Sequence, residues 1–102
     1  MSELLNGFDK AFESKVRLGA MAALVVNDAL DYSRIKELLG VTDGNLATHL
    51  RVLEEREYVT YEKEFSGRRP KTIYRATDSG KMAFKAHLKA IEDVLRQTPT
   101  TD

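Results

Sequence analysis

The stretch from Ser33 to Arg56 contains two hydrophobic stripes, each at the spacing of an amphipathic helix. The apolar positions are Ile35, Leu38 and Leu39 in the first stripe, and Leu46, Leu50 and Leu53 in the second. Gly40 lies between the stripes, where its freedom to adopt a positive φ allows it to end the first helix. Thr42 can then cap the second helix with its hydroxyl. Two amphipathic helices joined by so short a turn are typical of a helix-turn-helix unit.

Two further helical patterns precede this unit. Residues 3–13 contain apolar side chains at helical spacing, which predicts an N-terminal helix despite Gly7. Residues 14–27 are mostly small or apolar, with Ser14 as the expected cap and a stripe formed by Leu18, Met21, Ala22 and Val25. A helix that is apolar around most of its girth is usually the central helix of a core, and we expect that role here.

After the helix-turn-helix, the pattern changes from helical spacing to alternation. Apolar and polar residues alternate over 58–65, which predicts a strand with one polar face. Residues 66–71 are expected to form a loop because they include a glycine and a proline. Residues 72–76 are rich in β-branched and aromatic side chains, as a returning strand would be. A very short strand is also expected at 30–32.

A last helix is predicted over residues 77–97, with Thr77 as its cap and a heptad-like seam of Phe84, Leu88, Ile91 and Leu95. The element order indicates a single domain over 1–102, and a chain of this length can bury its own core. Within it we place a core at 14–76, the helix-turn-helix at 33–56 and the hairpin at 58–76.

Composition narrows the function. The sequence has 16 acidic and 16 basic side chains, so the distribution of charge, and not its total, must decide whether nucleic acid is a partner. It has no cysteine, only two isolated histidines, and no phosphate loop, nucleophile elbow or HExxH motif. We therefore expect no enzyme activity, no metal and no cofactor. No apolar run approaches the ~20 residues of a membrane span and the N-terminus lacks a signal-peptide pattern, so a soluble, cytoplasmic protein is expected.

The second helix of the helix-turn-helix presents small, hydrogen-bonding residues opposite its leucine stripe. Near its N-terminus this outer face contains Gly44, Asn45 and Thr48. Small residues allow a helix to approach base edges, and asparagine can pair bidentately with adenine. The alternative is an ordinary solvated face, which normally carries long charged side chains. We therefore assign Asn45 and Thr48 to base reading, and Thr42 and Arg51 to phosphate contacts.

The predicted hairpin loop concentrates positive charge. Arg68, Arg69, Lys71 and Arg75 follow one another with no intervening acid. Cations clustered on a protruding hairpin create a potential that attracts a duplex. Arg68, Arg69 and Lys71 are therefore expected to contact the DNA backbone or minor groove, whereas Arg75, which lies in the returning strand, can instead form a structural ion pair. The acids between Glu54 and Glu64 should then face away from DNA.

The order and chemistry of these elements resemble the winged helix-turn-helix family, and within it the compact bacterial regulators of the MarR and ArsR type. The similarity rests on the segments RLGAMAAL at 17–24, LLGVTDGNLATHLRVLEE at 38–55, YVTYEKEFSGRRPKTIYRAT at 58–77 and DSGKMAF at 78–84. It implies an α+β, mainly helical fold: a three-helix core and a two-stranded wing, with additional N- and C-terminal helices. It also implies a transcriptional regulator that binds specific double-stranded DNA, more often a repressor than an activator.

The resemblance further implies a homodimer on a pseudo-palindromic operator, joined by its terminal helices. The interface residues would be Leu4, Leu5, Phe8, Phe12, Phe84, Leu88, Ile91 and Leu95. The same side chains could instead bury each other within one subunit. His49 would contact a backbone phosphate, although it could equally be a half-buried histidine satisfied by the wing or the preceding helix.

Two alternatives stay open at this level. The metal sensing known among ArsR-like regulators lacks its cysteine ligands here, while a small organic effector at a dimer interface is compatible with the sequence but indicated by no residue. A winged helix can also serve as a protein-interaction module that does not bind DNA, and the neutral total charge is compatible with that function.

Overall fold

A computed structural model describes residues 5–97, which form four α-helices and a three-stranded antiparallel sheet. The helices are α1 (Lys15–Val26), α2 (Tyr32–Leu39), α3 (Asp43–Glu55) and α4 (Asp78–Gln97), and a 3₁₀ helix at Lys10–Phe12 precedes them. The strands are β1 (Leu30–Asp31), β2 (Val59–Ser66) and β3 (Arg69–Ala76). Helix α3 follows α2 across a short turn and β2 and β3 form the wing, so the predicted winged-helix fold is confirmed.

The predicted helix boundaries follow from capping. The Ser14 hydroxyl accepts a hydrogen bond from the backbone N–H of Arg17 at 3.3 Å, and Thr42 Oγ1 accepts one from Asn45 N–H at 3.3 Å. Gly40 ends α2 with φ of 63°, the left-handed conformation that glycine adopts without steric cost. Helix α2 begins at Tyr32, one residue before the predicted start of the helix-turn-helix at Ser33, because Asp31 is its N-cap.

Helix α1 lies at the centre of the core, as its composition indicates, because it contacts α2, α3, α4 and β3. Its fully buried face differs from the predicted stripe. Ala20, Met21 and Leu24 are at most 1% exposed, whereas Ala22 and Val25 are only partly buried. A helix that is apolar on nearly every side does not reveal from its own sequence which side faces inward. Helix α3 differs in this respect: it is amphipathic, and its pattern correctly places Leu46, Leu50 and Leu53 in the core.

The sheet has the order β1-β3-β2, and the expected short strand at Leu30–Asp31 pairs with β3. The predicted loop over 66–71 is wrong, because β2 and β3 continue pairing to Ser66 and Arg69 and only two residues turn between them. Gly67 has φ of 66° and Arg68 does not have a positive φ, which is the pattern of a type II′ turn. Pro70 has no N–H to donate to a neighbouring strand. The position tolerates this because β1 pairs with β3 only at residues 73 and 74, so no strand within residues 5–97 lies beside Pro70 on that edge.

The N-terminal segment also differs from its prediction. In place of a continuous helix over 3–13, the described part contains a 3₁₀ helix capped by Asp9, whose extended backbone has φ of −92° and ψ of 125°. The Asp9 carboxylate accepts hydrogen bonds from Ala11 N–H at 2.9 Å and from the Tyr58 hydroxyl at 2.6 Å. These bonds hold Asp9 outside helical geometry and tie the segment to the start of the wing. Burial, followed by the neighbouring Asp9 carboxylate, raises the pKa of Tyr58.

Helix α4 packs against the base of the wing through Gly80. A Cβ at this position would lie 2.1 Å from the carbonyl oxygen of Tyr58, so only glycine permits this approach. The Thr77 hydroxyl caps the helix by accepting from Gly80 N–H at 2.9 Å, as predicted. Across residues 5–97, no helix combines the length and apolar character needed to span a bilayer.

Candidate nucleic-acid interface

The N-terminal half of α3 presents an open face of small side chains. Gly44, Asn45, Ala47 and Thr48 are all exposed, and a Cβ built on Gly44 would meet no atom within 4 Å. The Thr48 hydroxyl donates to the carbonyl of Gly44 at 2.9 Å, which leaves its oxygen able to accept. The Asn45 amide forms no hydrogen bond with the described residues. The face therefore offers an unpaired amide and a hydroxyl acceptor at a surface without steric obstruction.

The start of α3 is fixed to α2 by contacts that the sequence patterns did not reveal. The Tyr32 hydroxyl donates to the backbone carbonyl of Asp43 at 2.8 Å, and Lys36 Nζ lies 3.1 Å from the Asp43 carboxylate. Burial, with a smaller contribution from Asp43, raises the pKa of Tyr32. These contacts cross the turn, so the periodicity of either helix alone could not predict them. They hold the exposed end of α3 in a defined orientation.

His49 is half-buried and contacts α1. Nη1 of Arg17 lies 2.9 Å from Nδ1 of His49, while other nitrogens of the same guanidinium donate to the carbonyls of Ala11 and Lys10 at 2.7 and 3.4 Å. Arginine remains protonated and can only donate, so Nδ1 of His49 accepts. The ring proton of a neutral His49 must then reside on Nε2. The sequence suggested the wing or the preceding helix as the partner of a half-buried His49, whereas the structure places Arg17 of α1 there. Nε2 keeps a donor for a further partner.

The wing brings three of the predicted cations to its exposed outer part. Arg68 and Arg69 are exposed and form no ion pair with the described residues. Lys71 Nζ lies 4.0 Å from the Asp31 carboxylate, a distance that contributes little at an exposed surface. Arg75 forms an ion pair with Glu62 on the neighbouring strand, which confirms the structural alternative for this arginine.

A cleft of about 520 Å³ separates the wing from the start of α2, and Arg69, Lys71, Ser33 and Tyr32 are among its lining residues. Arg51, the remaining predicted phosphate contact, is exposed farther along α3. The predicted site residues therefore lie on the capped start and exposed face of α3 and on the wing, and the cleft lies beside the wing.

Two of the wing-side acids are engaged within the chain. Glu62 is paired with Arg75, and Glu54 lies beneath the hairpin beside the hydroxyl of Tyr74. Burial and the nearby Glu54 carboxylate raise the pKa of Tyr74 to about 12. Burial also raises the pKa of Glu54. Within residues 5–97, no group of three or more His, Asp or Glu side chains is placed to hold a metal ion.

The residues assigned to a subunit interface divide into two groups. Phe12 and Phe84 are 3% and 8% exposed and pack edge to face with ring centroids 5.7 Å apart, so they belong to the core of the single chain. Phe8 is half-buried against His87. Leu5, Leu88 and Leu95 are exposed by 55%, 46% and 71%, and Ile91 is partly buried. Leu4 lies outside the described residues.

Comparisons with known proteins agree with this geometry. A family described as "Winged helix DNA-binding domain" matches residues 16–95. An uncharacterized protein of Methanocaldococcus jannaschii is 39% identical over 82 residues, which span 80% of this chain and 89% of that protein.

Two solved structures show the same fold. The transcriptional regulator homologue of Pyrococcus horikoshii superposes with a TM-score of 0.87 at 32% identity, covering 98% of this chain and 100% of that one. A putative MarR-like transcription regulator from Bacillus cereus superposes with a TM-score of 0.69 at 25% identity, covering 94% of this chain and 71% of that one.

Proposed function

Because this chain belongs to the family of winged helix DNA-binding domains and matches MarR-type transcriptional regulators in structure, we propose that it is a homodimeric repressor that binds a specific double-stranded DNA sequence. The family and fold are those of transcriptional regulators, not of enzymes. In this proposal α3 enters the major groove and the wing contacts the adjacent backbone and minor groove.

The observation that carries the proposal is the open face at the start of α3. Backbone can approach base edges here because Gly44 has no side chain and its surroundings are empty. The side-chain amide of Asn45 has both its carbonyl oxygen and its NH₂ group available, which suits the N6 and N7 positions of adenine, and Thr48 can accept from an exocyclic amine. Tyr32 and Lys36 hold this end of the helix, so recognition would require little rearrangement.

Phosphate contacts would position this face. Arg68, Arg69 and Lys71 on the wing and Arg51 on α3 supply long, exposed cations, and the capped end at Thr42 supplies backbone N–H groups. Nε2 of His49 is the remaining donor, because Arg17 occupies Nδ1. Such contacts are independent of sequence, so they would set affinity and its salt dependence, whereas Asn45 and Thr48 would set specificity.

A second copy would be joined through the exposed apolar residues of the terminal segments. Leu5, Leu88 and Leu95 are exposed in the single chain, Leu95 most of all, while Phe12 and Phe84 are already buried and would support the interface from below. Two-fold symmetry would place two α3 helices about 34 Å apart, one turn of DNA, on a pseudo-palindromic site. Repression would follow from occupying the operator.

One experiment tests the core of this proposal. The full chain is used to select ligands from random duplex DNA at near-physiological salt, and the mass of the free protein is measured by sedimentation equilibrium. Enrichment of a palindrome by a species of twice the chain mass supports the proposal. Absence of enrichment would overturn it in favour of a protein-interaction module, and enrichment by a monomer would overturn the homodimer alone.

Two variants test the division of roles on the selected duplex. Arg68→Ala with Arg69→Ala should weaken binding to all sequences and reduce the log–log salt slope by about 0.9 per lost phosphate contact. Lys81→Ala with Lys85→Ala removes the same charge from α4 and serves as the control. Asn45→Ala should relax the preference at one base pair without changing the salt slope, and an unchanged binding profile over a randomised library would exclude base reading by Asn45.

A further inference from the structure

Phe65 is an aromatic residue at the outer end of the wing, with 76% of its surface exposed. It is paired across the hairpin with Pro70, which is also exposed. The alternation of the strand places Phe65 on the apolar face of β2, but the core does not reach this far. With about three quarters of its surface exposed, the Phe65 ring contributes little to the packing of this chain.

The register shows which way this apolar pair faces. Val59, Tyr61, Lys63 and Phe65 share one face of β2 because side chains alternate along a strand. At the base of the hairpin this face rests on the core: Val59 is buried, and Tyr61 packs on Tyr74 with ring centroids 5.7 Å apart. Tyr74 in turn lies beside Glu54 of α3. Phe65 and Pro70 therefore continue, toward the tip, the same face that contacts the proposed recognition helix.

The surroundings of the pair are strongly basic. Lys63 lies two residues before Phe65 on the same face, and Arg68 forms the turn. Arg69 and Lys71 come directly before and after Pro70 and point to the opposite face of the hairpin. Glu64, the single acid over residues 63–71, points to that opposite face too, where it is paired with Lys71. An apolar surface of this kind, framed by cations, complements a polyanion that also offers apolar surface, as the sugars and base edges of a DNA groove do.

We propose that Phe65 and Pro70 form an apolar wedge that inserts into the minor groove beside the site read by α3, with Arg68 and Arg69 holding the flanking phosphates. The inference rests on the proposed DNA-binding function and adds the chemistry of the wing contact. Phenylalanine and proline are among the residues that proteins insert between base steps from the minor groove. The wedge would favour operators whose flanking steps unstack easily, such as TA or CA, because deforming them costs less.

The test uses the full chain and the duplex selected by wild-type protein, with affinity measured by fluorescence anisotropy at several salt concentrations. Phe65→Ser should lower affinity by about tenfold, because the buried apolar area of the ring is lost, while the salt slope stays unchanged because no charge is removed. Phe65→Leu should retain most of the affinity. Met82→Ser, which makes the same kind of change at a 71% exposed position on α4, is the matched control and should bind as wild type does.

Hydroxyl-radical footprinting provides the second readout, because this reagent attacks deoxyribose from the minor groove. Wild-type protein should protect the sugars flanking the α3 site, and Phe65→Ser should lose that protection while keeping protection at the centre. Equal affinity and equal footprints for wild type and Phe65→Ser would overturn the wedge and leave DNA binding intact. Failure of wild type to bind any duplex would instead overturn the proposed function. A lower sedimentation mass for Phe65→Ser than for wild type would show that this surface joins two copies, and would also overturn the wedge.

Discussion

The guanidinium of Arg17 lies 2.9 Å from Nδ1 of His49, and through this contact α1 fixes the ring of a histidine on the proposed recognition helix. The same guanidinium binds two carbonyls of the N-terminal 3₁₀ helix, so one side chain links the N-terminal segment to the DNA-facing element. Because a permanent donor occupies Nδ1, the remaining proton of neutral His49 is directed to Nε2.

Replacing Arg17 should therefore release His49. In wild type, ¹⁵N chemical shifts of the imidazole should show the Nε2–H tautomer of His49, whereas Arg17→Leu should show a mixture of tautomers. The variant should also lose about 1–3 kcal/mol of unfolding free energy, because the carbonyls of Ala11 and Lys10 lose their donor. Protonation of His49 at Nδ1 in the wild-type protein would contradict the assignment.

Gly44 and Gly40 should respond in opposite directions to the same substitution. Gly44→Ala should raise the unfolding free energy by about 0.5–1 kcal/mol, because alanine is the better helix former and its Cβ meets no neighbour. Gly40→Ala should lower it by about 1 kcal/mol, because the residue has φ of 63° in equally open space. Urea denaturation measures both values. If DNA binding is as proposed, Gly44→Ala should weaken it despite the gain in stability, since the added methyl lies where a base edge would approach.

Glu57 has φ of 61°, a left-handed conformation that is strained for a residue with a Cβ. It follows α3 in a Schellman arrangement, in which Tyr58 N–H donates to the Leu53 carbonyl at 3.0 Å and Glu57 N–H to the Glu54 carbonyl at 2.9 Å. Glu57→Gly should stabilise the fold by about 0.5–1 kcal/mol, because glycine adopts positive φ without a Cβ penalty. Glu57→Ala removes the same charge but keeps the Cβ, and should leave the urea midpoint near that of wild type. Equal stabilisation by both variants would indicate a charge effect instead.

The free energy of unfolding should fall at alkaline pH because the fold raises the pKa of Tyr74. Its pKa is raised from 10.0 to about 12 in the fold, so between these values the unfolded chain releases the phenolic proton while the folded chain retains it. The stabilisation that the fold gains from the raised pKa of Tyr74 is therefore complete below pH 10 and is lost as the pH rises toward 12. Urea midpoints measured between about pH 9 and pH 11 should decline, and Tyr74→Phe should flatten this decline. Some slope should persist in the variant, because burial also raises the pKa of Tyr32 and Tyr58.

Elements with a strong local pattern were predictable. The turn between α2 and α3 follows from Gly40 and Thr42, whose conformational and capping preferences act within a few residues, and the core face of α3 follows from three leucines on an otherwise polar helix. The ends of the wing strands could not be predicted in this way, because a glycine and a proline so close together, at Gly67 and Pro70, are typical of a loop. Only the pairing of Ser66 with Arg69 shows that two residues make the turn.

The sequence by itself determined the fold class, the helix-turn-helix and the basic character of the wing, because each depends on side chains close together along the chain. Tertiary structure decided the rest. It placed Phe12 and Phe84 in the core and left Leu88 and Leu95 exposed, although all four belong to apolar patterns that look alike in sequence. It brought Arg17 to His49 across 32 positions and Tyr32 to Asp43 across the turn. It also left Phe65 beyond the core. Burial and long-range pairing are set by how the elements dock, and a local pattern does not contain that information.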